Sequence, residues 1–126
     1  MKLIEKSYDI NASPEKVFQA LTQPKLIEKW SGSKAKMTDK AGEPFSLFDG
    51  TIFGKNVEVV PNKKLVQDWY AEKWTIASRV TIDLKPSKQT TQINLRHEDV
   101  PDKSYNSINE GWTDSYFNPL KTLLES

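Results

Sequence analysis

Two neighbouring segments, SRVTIDL (78–84) and TTQINLRH (90–97), carry apolar or aromatic residues at alternate positions: Val80, Ile82 and Leu84, then Ile93, Leu95 and His97. Successive side chains of a strand point to opposite faces, so a period of two describes a sheet with one dry and one wet surface. The intervening PSKQ reads as their turn. Upstream, Asp49–Gly50 between FSLF and TIFG is a two-residue hairpin signal, and Pro61–Asn62 separates NVEVV from LVQDWY. Residues 33–97 therefore read as an antiparallel meander, and residues 3–10, with Ile4, Tyr8 and Ile10 on one face, as a further strand. Phe45, Leu47 and Ile52 share a face across the Asp49–Gly50 turn, whereas Val57 and Val59 have the opposite parity to Ile52. One extra residue near Gly54 would reconcile them, so a β-bulge is expected there, and with it a curved sheet.

Helical signals flank the meander. In NASPEKVFQAL, Ser13 is a suitable N-cap, Pro14 suits the first helical position and Glu15 faces the positive end of the dipole. Pro24 ends that helix, and Leu26, Ile27 and Trp30 mark a second short one before Ser31–Gly32. After Pro101, Tyr105, Ile108, Trp112, Tyr116, Leu120 and Leu123 recur every three or four residues, a stripe along one long helix. Ser104 is its expected cap and Pro119 an expected kink. Gly111 inside it costs about 1 kcal/mol relative to alanine, which suits either a close approach of another element or a ligand to the backbone or a tolerated imperfection near a terminus.

With 126 residues, one domain spanning 1–126 is expected. The absence of cysteine excludes disulfides and thiolate chemistry, and the single histidine excludes multi-histidine metal centres, so neither metal nor cofactor is expected. A net charge of +1 gives no electrostatic reason to expect nucleic acid. The charged N-terminus lacks a signal-peptide core, and no apolar run approaches a membrane span, so a cytoplasmic monomer without membrane insertion is expected. No P-loop, dinucleotide fingerprint or nucleophile elbow occurs.

Strand, two short helices, meander and long closing helix is the order of the helix-grip fold. NASPEKVFQALTQPKLIEKW (11–30), FSLFDGTIFGKNVEVVPNKKLVQDW (45–69), LRHEDVP and EGWTDSYFNPLKTLLE (110–125) resemble the START-like (SRPBCC) superfamily. More closely, they resemble the branch named for the activator of the ninety-kilodalton heat-shock protein's ATPase, the AHSA-type domain. The resemblance implies an α+β fold: a curved antiparallel sheet of six to seven strands, two short helices and one long C-terminal helix enclosing a cavity. Relatives use that cavity for hydrophobic small molecules. Some are cyclases or hydrolases, and one eukaryotic group carries the domain as a cochaperone module.

The 10% of residues that are aromatic then acquire a reading. Trp30, Phe45, Trp69, Trp112 and Tyr116, with the inward-pointing His97, are the candidate lining of a ligand cavity; they also suit a plain ring-packed core. The leading expectation is non-catalytic binding of a small hydrophobic, aromatic or lipid-like ligand. One alternative is a cyclase- or hydrolase-like enzyme on an aromatic or polyketide substrate, with His97 as acid/base at the cavity mouth. The other is a stress-related module contacting a chaperone. Trp74 reads as either a rim residue or a cap over the core. Lys25, Lys29, Lys34, Lys36 and Lys40 form a basic stretch, and residues 98–114 an acidic one. The facing of Tyr8, Glu58, Gln67, Arg79 and Arg96 depends on register and stays open.

Overall fold

Five consecutive strands and the N-terminal one form a six-stranded antiparallel sheet in the order β1-β6-β5-β4-β3-β2, seen in a computed structural model describing residues 1–71 and 73–126. Strand β1 spans Lys2–Ile10, β2 Pro44–Leu47, β3 Ile52–Val60, β4 Lys64–Ala71, β5 Ser78–Ser87 and β6 Thr90–Val100. The first strand pairs with the last, Tyr8 opposite Ile93 and Ile10 opposite Thr91. The alternation that marks β5 and β6 is a burial pattern: Val80, Ile82, Leu84, Ile93, Leu95 and His97 are all buried. The short edge strand β2 is covered by Lys36, whose amide and carbonyl bond the carbonyl and amide of Ser46 at 2.9 Å each. This single bridge and the four-residue length of β2 limit the edge as a template for pairing with another chain.

Helices α1 (Pro14–Thr22) and α2 (Pro24–Ser31) are the two short helices expected from the sequence. Ser13 Oγ accepts from the Lys16 amide at 3.2 Å, Pro14 opens the helix, and Gly32 ends α2 at φ 72°. The Trp30 indole donates to the Ala20 carbonyl at 2.9 Å and locks the two helices together. No helix among the described residues is long and apolar enough to cross a membrane.

Three local expectations are corrected. The bulge lies at Val57, where the β3–β4 register shifts between Asn56 and Glu58, not at Gly54. Its effect is the one parity demanded, since Ile52 and Asn56 are buried before it and Val59 packs against the core after it. Gly54 serves another purpose: a Cβ there would meet the backbone carbonyl oxygen of Asp68. The Asp49–Gly50 turn is a four-residue loop, because Leu47 and Ile52 form the last pair. Phe48, Asp49 and Gly50 all take positive φ, at 53°, 58° and 87°. Ser104 holds the N-cap position of α3, but its side chain makes no capping bond; its hydroxyl accepts from the Trp74 indole at 3.1 Å, which makes Trp74 a half-buried cap over the core.

Around Pro119 the closing helix departs from a regular α-helix. The closing helix runs as a 3₁₀ turn (Asp102–Ser104), α3 (Tyr105–Gly111), a π-helical segment (Trp112–Phe117) and α4 (Asn118–Glu125). A proline inside an α-helix removes an amide donor and crowds the carbonyl four residues back. The wider π turn immediately precedes it, and the Asn118 amide reaches back five residues to the Thr113 carbonyl. The segment also turns Trp112, Tyr116 and Phe117 inward together, all of them buried.

Candidate functional site

The concave face of the sheet and the π-helical segment meet through rings. Trp69 on β4 stacks on Trp112 at a centroid distance of 4.6 Å and an interplanar angle of 26°. Tyr116 lies 4.7 Å from Trp112 and 4.7 Å from Trp30. Phe45 packs against Trp69 at 6.4 Å. Burial pushes the Tyr116 phenol well above its usual range and keeps it protonated.

His97 lies beneath this layer. Its ring meets Trp69 and Trp112 edge-on at 5.4 and 5.6 Å, and it has no exposed surface. Its Nδ1 accepts from the Trp112 indole at 2.9 Å, which places the neutral ring's proton on Nε2. Nε2 is buried with no hydrogen-bond partner among the described residues. Desolvation lowers the His97 pKa from 6.5 to about 4. The imidazole is therefore neutral near pH 7 and lies deeper than a cavity mouth.

The other half of the concave face is ordered by hydrogen bonds. Trp69 Nε1 donates to Gln67 Oε1 at 2.9 Å, and Gln67 Nε2 donates to Asn56 Oδ1 at 2.9 Å. Asn56 Nδ2 then reaches the carbonyls of Thr38 and Lys40 at 2.9 and 3.2 Å. Gln67 and Asn56 have no exposed surface, so this relay ties residues 38–40 to the sheet through satisfied buried groups. Of the polar strand residues whose facing the sequence leaves open, Gln67 points inward and Tyr8 toward the closing helix, where its hydroxyl pairs with Thr113 at 2.9 Å. Glu58, Arg79 and Arg96 are exposed.

Between the ring layer and the Phe48–Thr51 loop a cleft of about 190 Å³ remains. Trp69, Trp112 and Tyr116 form one wall; Phe48, Thr51 and Ile52 form the loop side; Ser107, Ile108, Gly111 and Ser115 form the helix lip. Half of the six candidate residues thus meet at the cleft. Trp30, Phe45 and His97 support it from behind. The helix lip carries a sequence signal in Ser107, Gly111 and Ser115, small residues four apart on one face. A Cβ at Gly111 would find nothing within 4 Å, so the missing side chain opens onto the cleft. No group of three or more His, Asp or Glu side chains able to hold a metal ion occurs among the described residues.

A family model described as activator of Hsp90 ATPase homolog 1-like protein matches residues 11–125. The chain belongs to this family. A mouse member, activator of 90 kDa heat shock protein ATPase homolog 2, is 30% identical over 113 residues, covering 88% of this chain and 34% of that protein. The chain thus spans about a third of the length of the curated AHSA1-family relatives it matches. An HSP90 activator from Plasmodium falciparum superposes with a TM-score of 0.91 at 26% identity, covering 99% of this chain and 97% of that one. The Aha1 dimer from Colwellia psychrerythraea shares the fold, with a TM-score of 0.84 at 23% identity over 99% of this chain and 97% of that one.

Proposed function

We propose that this AHSA1-family domain is a non-catalytic partner of an Hsp90-class chaperone and raises its ATPase activity. The observation that carries the reading is the likeness, along nearly the whole of both chains, to the Plasmodium HSP90 activator. On this reading the protein acts in the cytoplasm as a monomer. Because the Colwellia relative is described as a dimer, sedimentation of this protein alone tests the monomer. Steady-state ATP hydrolysis by a purified Hsp90-class chaperone, with and without the protein, tests the activity. A saturable rise supports the proposal; unchanged hydrolysis together with no binding overturns it.

A second reading, binding of a small hydrophobic ligand, is favoured by the apolar cleft at Trp69, Trp112 and Tyr116. Drug-sized pockets occupy about 300–1,000 Å³, so the cleft suits one ring rather than a lipid or a polyketide. Titration of tryptophan fluorescence with monocyclic aromatics and with lipids tests this reading, and only the former should perturb Trp69 and Trp112. Turnover by His97 finds no support in the geometry, because the imidazole does not line the cleft and lies against Trp69 and Trp112, which do.

A further inference from the structure

We infer that the cleft is an anchor socket, receiving one aromatic side chain of the chaperone partner that is flanked in the partner by a lysine or arginine. The inference rests on the chaperone reading above and names the contact through which it would work.

Size sets the first constraint. A cavity of about 150 Å³ walled by apolar side chains holds a benzene ring, and the cleft has about 190 Å³. Its walls are preformed. Trp69 and Trp112 are held against each other by stacking, and Phe48 packs edge-on against Trp30 at 6.4 Å from a backbone fixed at φ 53°. A left-handed backbone at a bulky residue is strained, and such strain gathers at ligand-contacting sites. A rigid apolar socket that takes one ring is the form of an interface hot spot.

Charge sets the second. Residues 98–114 contain five acids and one lysine. Asp102 pairs with the N-terminal amine at 3.0 Å, and Glu98 lies 3.7 Å from Arg96. Glu110 and Asp114 are exposed next to the lip residues Gly111 and Ser115, and neither has an ion-pair partner among the described residues. A partner carrying a cation beside its ring would therefore meet uncommitted carboxylates at the rim, where opposite charges speed encounter and exclude acidic competitors. Thr51 and Ser115 at the same cleft carry hydroxyls able to pair with an indole or phenol proton or with the partner's backbone, and the Ser107 hydroxyl, which donates to the Ser104 carbonyl at 3.2 Å, can still accept such a proton.

The test is an amide-shift titration of the intact protein with three blocked dipeptide amides: N-acetyl-Lys-Phe, N-acetyl-Glu-Phe and N-acetyl-Lys-Ala. Lys-Phe should shift the amides of Thr51, Gly111 and Ser115, and should bind about tenfold tighter than the other two. Gly111→Leu, which projects into open space, should abolish those shifts, with Ser115→Leu as a second blocking variant. Reversing both rim charges, Glu110→Lys with Asp114→Lys, should transfer the preference to Glu-Phe. Toluene binding in the cleft with no preference for Lys-Phe would overturn the inference in favour of a metabolite pocket. The chaperone assay separates the two claims. If the wild-type protein raises ATP hydrolysis and folded Gly111→Leu does so equally, the socket fails while the function stands. If the wild type has no effect, the function fails and the dipeptide titration decides the socket.

Discussion

The two halves of the concave face reach the same complete burial by different physics. Under the π-helical segment, Trp69, Trp112, Tyr116 and His97 are held by ring packing joined by the single Trp112–His97 hydrogen bond. Under residues 38–40, Gln67 and Asn56 are held by directional bonds that run from the Trp69 indole to the chain's own carbonyls. Packed rings are large and rigid and leave residual volume, which is where the cleft lies. In a satisfied polar relay each member specifies the position of the next. Trp69 belongs to both, with its ring face in the stack and its N–H in the relay.

Substitutions separate the two modes. The largest effect is expected at the centre of the relay: Gln67→Leu leaves the Trp69 N–H and the Asn56 carbonyl oxygen unpaired, at about 1–3 kcal/mol each. Thermal or urea unfolding should show a loss of about 4 kcal/mol, and a loss below 1 kcal/mol would show that the relay does not order that half.

The ring half should respond to pH instead. His97 titrates near 6.5 when unfolded and near 4 when folded, so the unfolded chain binds the extra proton between those values. Stability is therefore full above pH 6.5, falls by up to about 3 kcal/mol as the pH drops to 4, and then levels off for this group. Urea midpoints across that window measure the slope, and His97→Gln should flatten it.

Trp112→Phe is expected to cost about 2 kcal/mol, since it removes the indole donor and part of a buried ring system. An NMR titration of His97 in the variant would then show whether burial alone holds its pKa down. The smallest effect has the opposite sign. Gly111→Ala gains helix propensity with open space around the new methyl, so stability should rise by up to about 1 kcal/mol while the cleft narrows.

What the sequence reveals follows from how local each cause is. The faces of β5 and β6, the Ser13 cap and the stop at Gly32 each depend on a few neighbouring residues, and all three were legible. The need for a bulge was also legible in the parity of Val57 and Val59, but its place was not. Asn56 points inward only because the relay receives it, and that pairing joins residues 11 positions apart. The π-helical segment is not legible in the sequence because Trp112 and Tyr116 satisfy an α-helical period equally well; in the structure it is accompanied by the additional burial of Phe117. The cleft was least legible. It is the space that ten residues from a loop, two strands and a helix fail to fill, so no single residue announces it. Ser107, Gly111 and Ser115 were its one local trace.

The π-helical segment also bears on how the chain tolerates changes of length. A π turn holds one residue more than the α turn it replaces, so the closing helix carries a spare residue between its two halves. Excision of that residue would keep Leu120 facing inward, although it would set Pro119 in the interior of a continuous α-helix. An insertion or deletion elsewhere in the helix would instead rotate every downstream side chain away from its partners. The stretch that lines the cleft is thus the place where this helix can change its length without changing its facing.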